Sequence, residues 1–277
     1  MNVVRLSGGL GNQMFQYAFG CALKGDVAYD VSWFDECRKS GVTTVREYGL
    51  PCFCCEPRLV DAADAPMADG LLRRLFCGGR LREVREFPEN AYSSRLLKAR
   101  DSLISGYFQV ARYCEMSRPR LLREFTLRIV PADEAFTNVL NGIASCNSVS
   151  VHVRRGDYLA LSEFHPVCDA SYYARAAEWM RAETGDCAFY VFSDDLEWCR
   201  AELKLPGKTT FVDLSEAGRP ELDMMLMRAC RHNIIANSSF SWWGAWLNEH
   251  PGRRVVAPVR WFGGREPEIV PESWRRM

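Results

Sequence analysis

The stretch VSVHVRRGDY, residues 149–158, decides the fold class of this chain. It begins as a run of β-branched residues, a pattern that indicates a buried strand. It ends in Arg154 and Arg155, followed by a glycine and Asp157. Open α/β sheets bind ligands beyond the carboxyl ends of their strands, and two guanidinium groups suit a diphosphate. The plain alternative is an ion pair between arginine and Asp157 that only closes a loop.

Strands and helices alternate on both sides of this stretch. The N-terminal residues predict a strand at 3–7, a glycine turn, a helix over 13–23 and a strand at 27–31. After residue 146 the alternation is regular, and strands are predicted at 149–153, 188–192, 209–212, 233–236 and 254–259. Such alternation is typical of a parallel sheet covered by helices on both faces.

The alternation therefore predicts an α/β protein with two Rossmann-like domains that face each other across a cleft. We place the first domain at residues 1–140 and the second at 141–277. Within the first domain, residues 32–102 are broken by Gly-Gly and by several prolines, so that pattern alone does not order the elements there.

Composition narrows the class of protein. Of 277 residues, 48% are hydrophobic and 25% charged, as in globular domains, and 35 basic residues balance 35 acidic ones. This balance argues against a nucleic-acid binder, which relies on excess basic charge. The N-terminus does not resemble a signal peptide, and no apolar run reaches the ~18 residues of a spanning helix. We expect a cytoplasmic protein, and leave peripheral contact with the inner membrane face open.

The 12 cysteines are many for such a chain. Without an export signal, reduced thiols are expected rather than a disulfide framework. Cys52 and Cys55 have C-x-x-C spacing, but no second such pair completes a zinc site. We therefore predict no metal centre and treat most of these side chains as small buried hydrophobes.

Polar groups follow three of the predicted strands, at 152–155, 193–195 and 237–239. Parallel strands end at one edge of a sheet, so these groups should be neighbours. The arginines can bind a diphosphate, and Ser238 and Ser239 open a helix whose N–H groups form a second anion site. Aspartate carboxylates can accept hydrogen bonds from guanine, which favours a nucleotide. Capping of the next helix is the alternative for the aspartates.

Two further motifs are weaker by themselves. The turn GGLGNQ, residues 8–13, is neither a P-loop nor G-x-G-x-x-G, because no lysine follows and the glycine spacing differs. Its glycines allow backbone to come close to a ligand, and Asn12 and Gln13 would supply uncharged donors; a tight βα turn is the alternative. Trp242 and Trp246 share one helical face, where they either stack on a sugar or pack in the core.

Four motifs together resemble the bacterial α-1,2-fucosyltransferases of glycosyltransferase family 11. They span nearly the whole chain in the family's order: GGLGNQMFQY at 8–17, HVRRGDY at 152–158, FSDD at 192–195 and SSFSWWGA at 238–245. The segment FHPVC, 164–168, resembles a further family signature, H-G-V-C, with Pro166 in place of the glycine.

The resemblance implies a GT-B fold, GDP-L-fucose as donor, a β-galactoside acceptor, inversion at the fucose anomeric carbon and no required metal or other cofactor. It implies that His152 and Asp194 hold the guanine or ribose, and that Arg154 holds the β-phosphate with support from Arg155. Further donor-binding residues implied by it are Ser238, Ser239 and Phe240 in the second domain and Gly9, Gly11, Asn12 and Gln13 in the first.

Arg154 is the expected stabiliser of the leaving GDP. Asp157, Glu163 and His165 lie in the loop that follows Arg154, and they are candidates for the base that takes the acceptor proton. A late proton loss would need no strong base, and Asp157 has the alternative of pairing with Arg155. The expected role is surface glycan biosynthesis, and lactose, N-acetyllactosamine and Gal-β1,3-GalNAc types all remain open as acceptors. Another nucleotide sugar or linkage is one alternative function, and a non-catalytic glycan-binding module is another.

Overall fold

Two units make up the protein, and each is built on one parallel sheet. The structure, a computed structural model, describes residues 1–40, 46–61, 81–156, 166–214, 219–262 and 268–277. Contacts divide the chain into unit 1, Met1–Arg128 with Pro267–Ile269, and unit 2, Ile129–Glu266 with Val270–Met277. The predicted boundary at 140/141 falls inside a helix, Glu134–Ala144, that belongs wholly to unit 2. The predicted boundary lies too late in the chain, because the prediction starts the second domain just before its first regular strand and omits the helix that precedes that strand.

Unit 1 has four described strands, in the sheet order β2-β1-β4-β3, and every neighbouring pair is parallel. The strands are β1 Asn2–Arg5, β2 Val27–Asp30, β3 Arg82–Arg85 and β4 Ser102–Ser105. The helices are α1 Leu10–Ala22, α2 Ser32–Lys39, α3 Ala111–Glu115 and α4 Arg118–Glu124, with short 3₁₀ turns at Leu50–Cys52 and Leu96–Lys98.

Helix α1 lies in the centre of unit 1. Nine of its thirteen residues are buried and the other four are half-buried, because the helix is covered on more than one side rather than on a single stripe. Phe19 stacks on Phe108 with 3.9 Å between the ring centroids, and Tyr113 meets Phe19 edge to face. These contacts tie α1 to the segment that follows β4. Strands β3 and β4 lie in or next to the region that the sequence pattern did not order.

Unit 2 has six described strands, in the sheet order β10-β9-β8-β5-β6-β7, again with parallel pairs. The strands are β5 Ser148–Val153, β6 Ala188–Ser193, β7 Thr209–Phe211, β8 His232–Ile234, β9 Val255–Ala257 and β10 Arg275–Arg276. The helices are α5 Glu134–Ala144, α6 Ala170–Thr184, α7 Leu196–Glu202, α8 Pro220–Ala229 and α9 Ser239–Trp246.

Strand β5 fixes the position of the site in unit 2. All six of its residues are buried, as a central parallel strand requires. The chain proceeds from β5 outward to β6 and β7, and then returns to place β8 on the other side of β5. The strand order therefore reverses between β5 and β8, and such a reversal opens a crevice at the carboxyl ends of the strands.

The structure confirms the predicted α/β class and its parallel sheets. The eleven cysteines in the described ranges all carry free thiols. In the same ranges, no helix has the combination of length and apolar sequence that crossing a bilayer requires.

Candidate functional site

His152 stands near the carboxyl end of β5, at the reversal of strand order. Its side chain is buried, and burial together with the nearby Arg154 guanidinium lowers its pKa to about 3. The imidazole is therefore neutral at physiological pH. Its Nδ1 has no hydrogen-bond partner within the described part of the chain. The ring of Phe240 lies 5.6 Å from the histidine ring, so β5 and α9 meet here as predicted.

Arg154 and Asp194 join the ends of β5 and β6. Arg154 Nη1 lies 3.0 Å from Asp194 Oδ2, and the backbone N–H of Arg155 donates to Asp194 Oδ1 at 2.9 Å. Gly156 completes the turn, because a Cβ there would stand 2.6 Å from Asp194 Oδ2. Both carboxylate oxygens of Asp194 thus hold the arginine turn. The family resemblance implies that this carboxylate holds guanine or ribose, whereas in the structure it orients the arginine.

Arg155 is held by partners of its own. Its Nε donates to Asp195 Oδ2 at 3.1 Å, and its guanidinium lies 3.9 Å above the centre of the Trp198 ring. Asp195 also caps α7 by accepting the Trp198 N–H at 3.0 Å. The sequence left open whether these aspartates bind a ligand or cap the next helix. In the structure Asp195 caps α7, whereas Asp194 does not. These contacts fit the supporting role predicted for Arg155.

The N-terminus of α9 forms the other wall of the crevice. Ser238 caps the helix by accepting the Phe240 N–H at 3.3 Å, and Ser239 and Phe240 are half-buried beside it. Asn237 donates to the Trp261 carbonyl at 3.0 Å and accepts from the Cys168 thiol at 3.7 Å. Burial raises the pKa of Cys168 to about 11, which keeps this thiol neutral. Cys168, the last residue of the H-P-V-C signature, is thus anchored beside the serines.

Asp223 is a candidate that sequence reasoning missed. It lies in the first turn of α8, the helix that leaves the carboxyl end of β7 and crosses to β8. Its Oδ1 is buried and accepts no hydrogen bond from the described residues. Burial, and next the charge of Asp213, raise its pKa to about 6. The sequence gives no sign of this role, because an acidic residue in the first turn of a helix is already explained by its interaction with the helix dipole.

The β1–α1 turn of unit 1 holds the other predicted group. Gly8 has a φ of +72°, and a Cβ there would stand 2.8 Å from Asn12 Nδ2, so this glycine is required by geometry. Gly9 precedes α1, and a Cβ on it would meet nothing within 4 Å. Gly11 is buried, and Asn12 is half-buried and accepts from Gln109 at 2.9 Å.

Gln13 does not fit its predicted role. Its amide nitrogen donates to the Gly8 carbonyl at 2.9 Å and to the Glu47 carbonyl at 2.8 Å, and its oxygen accepts the Gly49 N–H at 2.9 Å. Both amide hydrogens are therefore used inside the protein, and the side chain is fully buried. These bonds fasten the glycine turn to the segment 47–49, and they leave no amide hydrogen of Gln13 free for a ligand.

The tryptophans of α9 are core residues. Trp242, Trp243 and Trp246 are essentially unexposed and pack against one another, with Trp242 and Trp246 stacked at 5.8 Å between ring centroids. The alternative in which they stack on a sugar is therefore excluded by burial. Asp157, Glu163 and His165, the candidates for the base, lie outside the described residues.

Seven predicted residues thus meet at one edge of the unit 2 sheet: His152, Arg154, Arg155, Asp194, Ser238, Ser239 and Phe240. Chemically, this edge combines an oriented cation, a helix N-terminus and a neutral imidazole. A cation and helix N–H groups together suit an anion such as a phosphate. Among the described residues, no group of three or more His, Cys, Asp or Glu side chains is placed to hold a metal ion.

Comparison with known proteins places these motifs in a family. The sequence model of glycosyl transferase family 11 matches residues 99–262, which include the whole of the edge described above. An alpha-1,2-colitosyltransferase from Escherichia coli is 31% identical over 297 residues, covering 99% of this chain and 98% of the relative. The O-antigen biosynthesis glycosyltransferase WbnK, also from E. coli, is 31% identical over 97% of this chain and 98% of its own.

More distant relatives are similar over part of their length or in structure alone. The galactoside alpha-(1,2)-fucosyltransferase 2 of Oryctolagus cuniculus is 33% identical over 152 residues, which cover 52% of this chain and 43% of the relative. Among solved structures, the fucosyltransferase NodZ from Bradyrhizobium has 13% identity and a TM-score of 0.46, over 88% of this chain and 92% of that one. The family match and the two full-length relatives agree with the motifs, and the chain therefore belongs to glycosyl transferase family 11.

Proposed function

We propose that this protein transfers L-fucose from GDP-L-fucose to the 2-hydroxyl of a terminal β-galactoside, with inversion at the fucose anomeric carbon and without a metal ion or other cofactor. One observation carries the proposal: Arg154 is oriented by Asp194 at the reversal of strand order, beside the N-terminus of α9. This pairing of a cation with helix N–H groups is suited to a diphosphate. The printed name of the Oryctolagus cuniculus relative, a galactoside alpha-(1,2)-fucosyltransferase, supports the fucosyl donor and the galactoside acceptor.

The main requirement of the reaction is stabilisation of the leaving group. As the bond from the fucose C1 to the phosphate oxygen breaks, negative charge grows on the β-phosphate. Arg154 and the positive end of the α9 dipole, at the N-terminus capped by Ser238, stabilise that charge, and both are fixed before the reaction begins. The acceptor hydroxyl attacks from the opposite face of the fucose ring. The proton it loses goes to Asp157, Glu163 or His165, or leaves late without a strong base.

The nucleoside end is assigned to residues other than Asp194. Asp194 is occupied by the arginine turn, so we assign the guanine to Asp223, whose buried Oδ1 has no acceptor role among the described residues. An ionised carboxylate can accept from both the N1–H and the exocyclic amine of guanine. His152, neutral and with its ring 5.6 Å from that of Phe240, contacts the ribose or the phosphates.

The natural acceptor is a surface glycan in this proposal. The printed name of WbnK assigns that relative to O-antigen biosynthesis, which supports a glycan intermediate as the acceptor here. Such an intermediate is carried on a lipid, so we propose that transfer takes place at the inner membrane face. Lactose, N-acetyllactosamine and Gal-β1,3-GalNAc units present the same terminal β-galactose.

The test is an acceptor array incubated with GDP-fucose, with GDP release measured and the linkage of the product determined by NMR. An α-1,2-linked fucose on a β-galactoside is the expected product, and its yield should be unchanged by EDTA. Donors that carry mannose or a uridine diphosphate serve as controls. Product from one of those donors alone, or binding of galactosides without any transfer, would contradict the proposal.

A second donor is favoured by one observation. The full-length relative named as an alpha-1,2-colitosyltransferase is 31% identical to this chain. Colitose is L-fucose without its 3-hydroxyl, so the two donors differ by a single hydrogen-bonding group. Comparing kcat/KM for GDP-fucose and GDP-colitose on the best acceptor separates the candidates. A preference of tenfold or more for GDP-colitose would assign that donor instead.

A further inference from the structure

The segment that follows β4 is a turn built around one buried carboxylate. Glu86 Oε2 accepts the N–H groups of Tyr107 at 2.9 Å and Phe108 at 3.0 Å, and Oε1 accepts the Asn90 N–H at 3.0 Å. Glu86 is almost fully buried. A Cβ on Gly106 would stand 2.5 Å from the Glu86 Cβ, so only glycine fits beneath this carboxylate. Three backbone donors are thus held by one side chain.

The turn holds a bulky residue in a rare backbone conformation. Phe108 has a φ of +50°, in the left-handed region that aromatic residues seldom adopt. Its ring is fixed against Phe19, and its N–H is fixed by Glu86. Such conformations persist where the surroundings over-determine them, and they cluster at ligand sites. The residues on either side of Phe108 differ in exposure as a result: Tyr107 is 43% exposed and Gln109 only 6% exposed.

Gln109 connects this turn to the predicted donor-side residue of unit 1. Its Nε2 donates to Asn12 Oδ1 at 2.9 Å, and its Oε1 is buried with no donor from the described parts of the chain. A buried amide oxygen without a partner is unfavourable, and a ligand hydroxyl is one group that would satisfy it. The two amides lie at the ends of β1 and β4, where the order of the unit 1 sheet reverses.

A second aromatic residue, Phe87, follows the adjoining strand β3. Strands β3 and β4 pair in parallel with Arg85 opposite Ser105, and the Glu86 N–H continues the ladder to the Ser105 carbonyl at 2.8 Å. Two more residues in this register place Phe87 opposite Tyr107. Phe87 is 86% exposed, which is unusual for phenylalanine. Two exposed aromatic residues therefore follow neighbouring strands, and one of them, Tyr107, lies two residues before Gln109.

We infer that Tyr107 and Phe87, with the Asn12–Gln109 amide pair, form the subsite for the galactose ring of the acceptor. The inference rests on the proposed function and names the residues that select its acceptor. β-Galactose has one face made of C–H groups, because its 4-hydroxyl is axial, and that face stacks on an aromatic ring. Its hydroxyls point outward around the edge, where amides can donate and accept. A surface of aromatic rings and a few amides is typical of sites for small polar ligands.

The test compares Tyr107→Ala, Tyr107→Phe and Phe87→Ala with Met116→Ala, a control with a similarly exposed apolar side chain in unit 1. Tyr107→Ala should raise the acceptor KM about tenfold, because its ring is lost, and leave the GDP-fucose KM within about twofold. Tyr107→Phe keeps the ring, so its acceptor KM should stay close to that of the wild-type protein. Phe87→Ala should raise the acceptor KM less than Tyr107→Ala does, and Met116→Ala should leave it unchanged. Thermal unfolding of each variant checks that the fold is intact.

Binding of the sugar is also measured without a donor, by saturation-transfer NMR with methyl β-galactoside and lactose. Loss of the sugar signals in Tyr107→Ala but not in Met116→Ala supports the subsite even if the donor assignment fails. Conversely, normal transfer with an unchanged acceptor KM in both Tyr107→Ala and Phe87→Ala overturns the subsite while the proposed function stands. Equal galactoside signals in all variants would overturn it as well.

Discussion

The two units present different chemistry at the same place in their folds. At the carboxyl ends of β5 and β6, unit 2 holds two arginines, each oriented by its own aspartate. The turns after β1 and β4 in unit 1 carry amides instead, bonded to each other or to backbone, beside exposed aromatic rings. A guanidinium that is already oriented is suited to charge that develops in a reaction. Neutral amides and rings suit a sugar whose charge does not change.

The largest test of this contrast is Arg154→Ala. Removing the oriented cation should lower kcat by roughly 10²–10³, because the growing charge on the β-phosphate loses its main partner. The measurement is single-turnover transfer from GDP-fucose, with GDP affinity determined beside it. Arg181→Ala removes an arginine from an exposed ion pair with Asp186 in the same unit and serves as the matched control. A near-normal rate in Arg154→Ala would remove the basis for treating unit 2 as the ionic side.

The second test concerns two adjacent amides of unit 1. Gln13→Ala should lower the free energy of unfolding by about 1–3 kcal/mol, because it leaves the Gly8 and Glu47 carbonyls and the Gly49 N–H without their partner. Asn12→Ala loses the bond from Gln109 but not that buried network, so its cost should be smaller, and its main effect should be on transfer.

Urea denaturation of the two variants measures this difference, and kcat/KM of each is compared at a temperature where both are folded. If Gln13→Ala were as stable as Asn12→Ala and lost activity instead, Gln13 would be a ligand residue after all.

A third test uses the pH dependence of GDP binding. The pKa of Asp223 is raised to about 6, first by burial and then by Asp213, against about 3.9 in an unfolded chain. The folded state therefore holds this proton more tightly, and its contribution to stability is present below pH ~4 and is lost as pH rises through about 6. Guanine N–H groups need the ionised carboxylate, so GDP affinity should rise over the same range.

Calorimetry at pH 5, 6 and 7 with GDP and with inosine diphosphate measures this effect. Inosine lacks the exocyclic amine, so its affinity should depend less on pH. Asp223→Asn should weaken GDP binding about tenfold, or about 1.4 kcal/mol, and remove most of the pH dependence. Asp186→Asn, an exposed acidic residue, is the control. A pH-independent affinity for GDP in the wild-type protein would place guanine elsewhere.

Local pattern predicted more of unit 2 than of unit 1, for a physical reason. A fully buried central strand such as β5 is a continuous apolar run, and its polar end marks the site directly. Strands β3 and β4 each have only four residues, and β3 is largely exposed, so their sequences lack that run. The boundary at Arg128 was likewise invisible, because α5 is an amphipathic helix that could have packed on either unit.

The hydrogen-bond partners of individual motif residues also could not be predicted from the sequence. The predicted roles of Asp194 and Gln13 followed from what a carboxylate or an amide can do. Which hydrogen bonds they make depends on residues far along the chain: the turn at 154–155 for Asp194, and the segment 47–49 for Gln13. Asp223 was missed for the complementary reason, since its burial comes from tertiary packing and not from its neighbours in sequence.

The smallest expected effect separates the two arginines of unit 2. Trp198→Leu keeps apolar bulk but removes the ring under the Arg155 guanidinium, a contact worth about 0.5–1 kcal/mol, so kcat should fall two- to fivefold. GDP affinity should change less, because Arg154 keeps its partner Asp194. Phe211→Leu is the matched control, since Arg200 stacks on Phe211 at 4.8 Å away from the arginine turn. Steady-state kinetics and unfolding of both variants decide the point: equal losses of stability with a fall in kcat only for Trp198→Leu would show that Arg155 acts by positioning the turn that carries Arg154.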